Sequence, residues 1–368
     1  MKIGILTVPF NNNYGGFLQA YALKTVLEGM GHEVLFINRQ RNPSKSLKFR
    51  VYRLLVKLHL IKDYLENKKR AISVNTDQFR DKYLTPISPA YYSSKSLRDS
   101  LKLGLDFLIV GSDQVWRYKY AQESIDDFFF GFIDENNAIP RISYAASFGT
   151  DNMDYPLEKI QVIKSLLTRF RAISVREESG KSLLTECLDV PASKVQTVLD
   201  PTMLLKVEDY KIFFEDMVPE KKDYAFTYIL DKGDIDELLI ERLISRKGLQ
   251  RIDGKAQTGN LSELDVIEPV EKWLSHFFYS DYVITDSFHG TVFSILFNKP
   301  FIVIANPNRG IARLKSLLSV FRLEERLITS ITPINEMIIN QQIDWTLVNT
   351  LLTKRREDSI RFIVDSVS

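Results

Sequence analysis

The sequence predicts an α/β protein built from two parallel sheets, each flanked by helices and facing one another across a cleft. Three observations carry this prediction. The chain has 368 residues, about twice the usual length of one domain. Short apolar runs rich in β-branched residues alternate along it with longer segments of helical period, the pattern of strand–helix–strand units. That series runs once before Asp200-Pro201-Thr202 and starts again after it.

In the first series the expected strands are Lys2–Val8, Glu33–Asn38, Phe107–Val110, Arg141–Ala145, Ala172–Val175 and Val195–Val198. A helix over Phe17–Met30 buries Leu18, Tyr21, Ala22 and the Val26/Leu27 pair on one face and stops at Gly29-Met30-Gly31. In the second series Tyr224–Leu230, Leu249–Ile252, Tyr282–Thr285 and Phe301–Ile304 read as strands, and Asp236–Arg246, Val270–Tyr279 and His289–Phe297 as helices. The stretch from Thr202 to Asp223, rich in Lys, Glu and Asp, is expected to be extended and to mark the boundary. This gives a first domain over 1–203 and a second over 204–342, followed by a helical tail of mixed charge over Ile343–Val367.

Composition narrows the function classes. A formal net charge of +2 is too small to argue for nucleic acid. The one cysteine, Cys187, excludes disulfides within the chain and cysteine-rich metal sites, and in the apolar stretch Ser182–Leu188 it reads as a core filler. The apolar run Met1–Val8 is too short for a signal-peptide core with its cleavage site and reads as a buried strand. No stretch approaches a membrane span, so a cytoplasmic protein is expected. Between Arg39 and Arg70 lie about ten basic and two acidic residues, with Leu, Val and Tyr at helical spacing over Leu47–Ile61. Residues 41–70 are therefore either a solvated basic helix or a peripheral contact with an anionic membrane surface.

Ligands in such folds bind outside the carboxyl ends of the strands, so the residues just past each strand are the candidates. After the first strand come Asn11, Asn12, Asn13, Gly15 and Gly16. They either cradle a phosphate or carboxylate at a helix start or form a plain turn capped by asparagine; a dinucleotide fingerprint is not present. After Phe107–Val110 come Gly111, Ser112 and Asp113. Asp113 is read as a partner or base for a sugar hydroxyl, the alternative being a cap for a helix from Gln114 onward. The segment Ser143–Gly149, with Ser147, is a strand that runs into small residues, as where a ligand approaches closely. Arg176 stands just past Ala172–Val175 and either grips a carboxylate or phosphate bidentately or pairs with Glu177 or Glu178 on a solvated helix start.

Of the four histidines, His32 comes after a helix-ending glycine, His59 lies in the basic stretch and His276 in an aromatic helix suited to packing. His289 alone stands at a strand-to-helix junction, in Asp286-Ser287-Phe288-His289-Gly290. There an imidazole can exchange protons with a bound substrate, Gly290 permits close approach, and the helix amides favour an anion. Lys299 before the strand Phe301–Ile304, and Arg309 and Arg313 beyond it, add cations that either suit an anionic donor or form a solvated face.

Taken together, the motifs resemble the polysaccharide pyruvyl transferase family. The pieces are Asn13-Tyr14-Gly15-Gly16-Phe17-Leu18-Gln19-Ala20, Gly111-Ser112-Asp113-Gln114-Val115-Trp116, Ser143-Tyr144-Ala145-Ala146-Ser147-Phe148-Gly149, Ser174-Val175-Arg176-Glu177, Asp200-Pro201-Thr202 and Asp286-Ser287-Phe288-His289-Gly290-Thr291, in the family's order from about Ile3 to Leu318. The resemblance implies two Rossmann-like domains in a GT-B-like arrangement, with the final helix, about 343–368, crossing back to the first. It also implies transfer of the pyruvyl group of phosphoenolpyruvate to hydroxyls of a saccharide, as a ketal on a polysaccharide repeat unit or its lipid-linked precursor, with no cofactor and no metal. By position, Arg176 resembles the family's donor-binding arginine and His289 its histidine near the donor. Ser287 and Gly290 share the donor turn. Asp113 is the expected partner of the acceptor hydroxyl, with Asn13, Gly15, Gly16, Gly111, Ser112 and Ser147 as loop contacts.

One position departs from the pattern. Some members carry an arginine two residues before that histidine, where this chain has Ser287, so Lys299, Arg309 or Arg313 is expected to meet the donor's charge. Two other readings fit the same architecture. One is a nucleotide-sugar glycosyltransferase using Glu268 or Glu271 on a ribose; the other is a non-catalytic saccharide-binding protein of a polysaccharide assembly complex.

Overall fold

The computed structural model describes residues 1–41, 47–58, 64–219, 221–231, 237–254, 266–306, 310–328 and 341–368. The first half forms a parallel sheet of β1 (Lys2–Leu6), β2 (Glu33–Ile37), β3 (Phe107–Val110), β4 (Arg141–Ala146), β5 (Ala172–Val175) and β6 (Val195–Thr197), in the order β2-β1-β3-β4-β5-β6. The second half forms another from β7 (Tyr224–Tyr228), β8 (Gln250–Asp253), β9 (Tyr282–Thr285), β10 (Phe301–Ile304) and β11 (Leu327–Ile328), in the order β11-β10-β9-β7-β8. Central strands such as β3 and β10 are apolar at every position because helices cover both faces, which is why they read as runs rather than alternations. The two sheets with their helices make two Rossmann-like lobes across a cleft, a GT-B-like architecture.

The longer helices are α1 (Tyr14–Gly29), α2 (Leu47–Lys57), α3 (Tyr64–Tyr83), α4 (Leu157–Leu167), α5 (Glu237–Lys247), α6 (Val270–Tyr279), α7 (Phe288–Leu296), α8 (Ile311–Phe321) and α9 (Trp345–Val367). One start differs from the expected one in a way that matters. Helix α1 begins three residues earlier than the apolar pattern indicates, so Gly15 and Gly16 lie in its first turn rather than in a loop. Helix α7 begins at Phe288, one residue ahead of the expected start, and His289 lies in its first turn as expected. β1 stops at Leu6, two residues short, ahead of Pro9, which has no N–H to extend a ladder.

The lobes share a core. Tyr14 of α1 stacks on Trp273 of α6 at 5.1 Å between ring centroids, and its hydroxyl donates to the Glu268 carbonyl at 3.0 Å. The stretch from Thr202, expected to be extended, is instead packed: it contains a short helix, Val207–Lys211, and buries Met203, Leu204, Leu205, Tyr210, Phe213 and Phe214. Tyr210 meets Phe293 of α7 at 5.2 Å and Phe213 meets Tyr21 of α1 at 5.1 Å, so its apolar residues bridge the two lobes while its charged ones stay outside. Helix α9 returns to the first lobe: Ser359 Oγ accepts from Leu199 N at 3.0 Å, and Arg356 donates to the carbonyls of Met203 and Leu205. Among the described residues, no helix is long and apolar enough to cross a membrane.

Candidate functional site

In an open parallel sheet the binding crevice forms where strand order reverses, because loops there leave in opposite directions. In the first sheet that point lies between β1 and β3, and a residue from the loop after each strand meets there: Asn13 Nδ2 is 3.5 Å from Asp113 Oδ2. In the second sheet it lies between β7 and β9, where the Asp286 carboxylate accepts from Leu230 N at 2.7 Å. Each lobe thus presents one aspartate at its reversal point. Both border one cavity, and Asp286 also ties the loops after β7 and β9 together.

Between these points lies a cavity of about 380 Å³, walled on one side by Asn11, Asn12, Asn13 and Gly15 and on the other by Asp286, Ser287, Phe288 and His289. The first turns of α1 and α7 therefore converge on one space, and the positive ends of two helix dipoles point into it. They approach closely: a Cβ on Gly15 would lie 2.0 Å from His289 Nδ1. Asn13 stands at the N-cap of α1, yet its side chain makes no cap hydrogen bond and turns to Asp113 instead. Ser287 does cap its helix, accepting from Gly290 N at 3.2 Å.

Behind the cavity sits a buried charged cluster. Arg176 Nη1 donates to Asp200 Oδ2 at 2.6 Å, Nη2 lies 3.5 Å from Asp113 Oδ1, and Nε lies 3.8 Å from Glu177 Oε2. Burial alone would push this guanidinium's pKa down, but Asp200, Asp113 and Glu177 outweigh it and raise the pKa. Asp200 Oδ1 accepts from the amide and hydroxyl of Thr202, at 3.0 and 2.7 Å, while Oδ2 also lies 3.5 Å from His289 Nε2. Burial opposes ionisation of Asp200, yet His289, Arg176 and Thr202 together hold its carboxyl well below the usual range. One carboxylate of the first lobe thus binds Arg176 and, across the cleft, lies within ion-pair distance of His289.

Arg313 enters from α8. A Cβ on Gly310, whose φ is +74°, would lie 2.5 Å from the Gly149 carbonyl, so the two lobes touch backbone to backbone just before that helix. This contact brings Arg313 to the cavity wall, where its guanidinium shares the Phe288 ring with Arg176, at 5.7 and 4.2 Å from the centroid respectively. Burial first, then the Arg176 charge, pushes the Arg313 pKa down to about 10. An anion in the cavity would relieve both penalties.

Asp113, Asn13 and Tyr120 also border a second cavity of about 290 Å³, which continues into the first lobe past Val8, Gln40 and Arg41. Asp113 has φ +69°, a left-handed conformation that aspartate tolerates better than most residues. No helix starts directly after it, so the capping alternative fails.

Of the residues singled out in the sequence, the structure brings Asn13, Gly15, Asp113, Ser287, His289 and Arg313 to the cleft cavity, with Arg176 against it. The alternative of a solvated Arg176 pair is overturned by burial of the whole cluster. Lys299 is corrected: it lies at the amino end of β10, the far side of the sheet, over the Phe278 ring. In a parallel sheet only carboxyl ends face the cleft, and Lys299 precedes its strand. Arg309 lies outside the described residues. Gly16 lies in the first turn of α1, and Gly111, Ser112, Ser147 and Gly290 support the loops around the cavity. Ser112 Oγ donates to Gln19, Ser147 Oγ donates to Glu177 at 2.6 Å, and a Cβ on Gly111 or Gly290 would strike the Tyr144 carbonyl or Thr285 Oγ1. Arg39 is also removed from the basic surface expected over that region, being buried in an ion pair with Asp127 at 2.7 Å.

Sequence reasoning assigned no role to Asp200, Phe288 or Tyr120, and named Glu177 only as a candidate ion-pair partner of Arg176 on a solvated surface. Asp200 had a usable signal, since it comes after β6 as Arg176 comes after β5. Phe288 had none, because an aromatic ring between guanidinium groups looks like any core residue.

A family model described as polysaccharide pyruvyl transferase matches residues 13–308, which include most of the cleft residues named above, among them Asn13, Gly15, Asp113, Arg176, Asp200 and His289. No curated protein sequence matches. Among solved structures, S. aureus MnaA with UDP superposes with a TM-score of 0.53 at 13% identity, covering 98% of this chain and 90% of that one. Methanocaldococcus jannaschii UDP-GlcNAc 2-epimerase, in complex with UDP-GlcNAc and UDP, gives 0.53 at 14% identity, covering 100% and 99%. At such identities the likeness is one of fold.

Proposed function

Since the chain belongs to the polysaccharide pyruvyl transferase family, we propose that phosphoenolpyruvate occupies the cavity between α1 and α7 and that the saccharide acceptor occupies the adjoining cavity in the first lobe. The observation that carries this reading is the convergence of two helix N-termini, Arg313 and His289 on one cavity whose wall ends at Asp113. A donor with a carboxylate and a phosphate needs cations and fixed dipoles, and this cavity concentrates both. Arg176, held by three carboxylates, serves less as a free cation than as the post that orders Asp200 and Asp113.

The chemistry divides between the two lobes. Asp113 takes the proton of an acceptor hydroxyl as its oxygen attacks C2 of phosphoenolpyruvate, and His289 delivers a proton to the C3 methylene, making it a methyl group. Asp200, facing His289 Nε2, stabilises the imidazolium that supplies this proton. The C2–O bond to phosphate then breaks, and a second hydroxyl attacks C2 to close the ketal, its proton leaving with the phosphate. Acceptor diol plus phosphoenolpyruvate become ketal plus inorganic phosphate, with no redox change. Such a donor suits an activity in the cytoplasm, on a polysaccharide repeat unit or its lipid-linked precursor at the inner face of the membrane.

The test is phosphate release from phosphoenolpyruvate with galactose- and mannose-containing acceptors, beside a thermal-shift comparison of phosphoenolpyruvate with nucleotide sugars. Acceptor-dependent phosphate release is expected, with a thermal shift for phosphoenolpyruvate. A shift with a nucleotide sugar and none with phosphoenolpyruvate would sink the reading in favour of a glycosyltransferase. Saccharide binding without turnover would identify a non-catalytic binder.

A further inference from the structure

We propose that α2 docks the first lobe on a bilayer of anionic lipid. Leu47–Lys57 carries Lys48, Arg50, Arg53 and Lys57 and no acidic residue. Leu58 N continues the helix with a hydrogen bond to the Leu54 carbonyl at 2.9 Å. At about 100° per residue, Val51, Leu54 and Leu58 fall within one narrow stripe, and Arg50, Arg53 and Lys57 fall in the stripe beside it. Both stripes face outward: Val51, Leu54 and Leu58 are 48%, 55% and 57% exposed, and the three basic residues are exposed with them. Tyr52, Leu55 and Val56, on the other side, are partly buried.

An exposed face split lengthwise into an apolar and a cationic half matches the boundary of a bilayer, where acyl chains and anionic headgroups lie at successive depths. A face turned only to water would not keep three large apolar side chains in register over two turns. The position fits the proposed acceptor. Arg41 lines the acceptor-side cavity and α2 starts only six residues later in the chain, at Leu47, so a lipid-linked saccharide would be met near where it is anchored. That last step rests on the pyruvyl-transfer reading; the docking face itself does not.

The experiment is co-sedimentation of the full chain with vesicles of phosphatidylglycerol and phosphatidylcholine in equal parts, against phosphatidylcholine alone. Binding to the anionic vesicles is expected to exceed that to neutral ones by at least about fivefold and to weaken as salt is raised. Leu54→Asp/Leu58→Asp and Arg50→Glu/Lys57→Glu should each lose most of it, with unchanged far-UV circular dichroism and an unchanged phosphoenolpyruvate thermal shift. Sedimentation that ignores lipid charge, absence of binding to either vesicle, or variants that bind like the parent chain would overturn the proposal. Failure of pyruvyl transfer is scored separately, by phosphate release in soluble assays without vesicles.

Discussion

Gly15 and His289 meet across the cleft with no room for a single added carbon, since a Cβ on Gly15 would lie 2.0 Å from the imidazole Nδ1. The first turn of one helix in the first lobe therefore sets the position of the proposed proton donor in the second. Gly15→Ala must push the imidazole away from Asp200 or hold the lobes apart. Turnover is expected to fall about 100-fold, the effect of misplacing a reacting group by about an ångström, while far-UV circular dichroism is unchanged. Turnover within a few-fold of the parent chain would show that His289 need not sit where it does.

Asp200→Asn removes the charge that Arg176 and His289 share. Taking one partner from a buried pair costs about 3–5 kcal/mol, so a clear drop in Tm is expected at neutral pH. The direction of the shift sets the sign with pH. The folded carboxyl titrates below its unfolded value of about 3.9, so its contribution is present above that pH and is lost as pH falls below it. Thermal melts between pH 7 and pH 3 should show the gap between the parent chain and Asp200→Asn narrowing at the acid end. A gap that stays constant would contradict the charge-based account.

Burial and the nearby Arg176 charge oppose ionisation of Arg313 more than Asp113, Glu177 and Tyr120 favour it. Arg313→Met keeps a flexible apolar stem beside Phe288 and removes the charge. Its Tm without ligand is expected to equal or exceed that of the parent chain, while KM for phosphoenolpyruvate rises at least tenfold, as for loss of a charge-assisted contact. Unchanged KM would remove Arg313 from donor binding.

Asp113 borders both cavities, so its loss should separate acceptor chemistry from donor binding. Asp113→Asn is expected to lower kcat by about 100-fold or more, the usual scale for a lost general base, and to keep the thermal shift produced by phosphoenolpyruvate. Loss of that shift at unchanged kcat would place Asp113 on the donor instead.

The two parallel sheets were legible in the sequence because strands covered on both faces are continuous apolar runs, and β3, β5, β9 and β10 fall at their expected residues. His289 was legible for a related reason: a histidine soon after such a strand must lie near its carboxyl end. Arg176 was found by the same rule, and Lys299, ahead of β10, was misplaced by neglecting it. The identity of the residues just past a strand is a local property, and local properties can be read from one dimension.

Contacts across the cleft cannot. That Asp200 serves both Arg176 and His289, that Gly15 lies against the imidazole, and that Gly310 on Gly149 brings Arg313 to the cavity all depend on how the lobes seat. That seating is set by buried apolar surface from both halves, notably Tyr14 on Trp273 and Tyr210 on Phe293, residues that read only as core. The sequence by itself determined which side chains stand at the ends of the strands. The tertiary structure decided which of them share a charge, because Coulomb and hydrogen-bond energies act over a few ångströms between residues as far apart in the chain as Asp200 and His289.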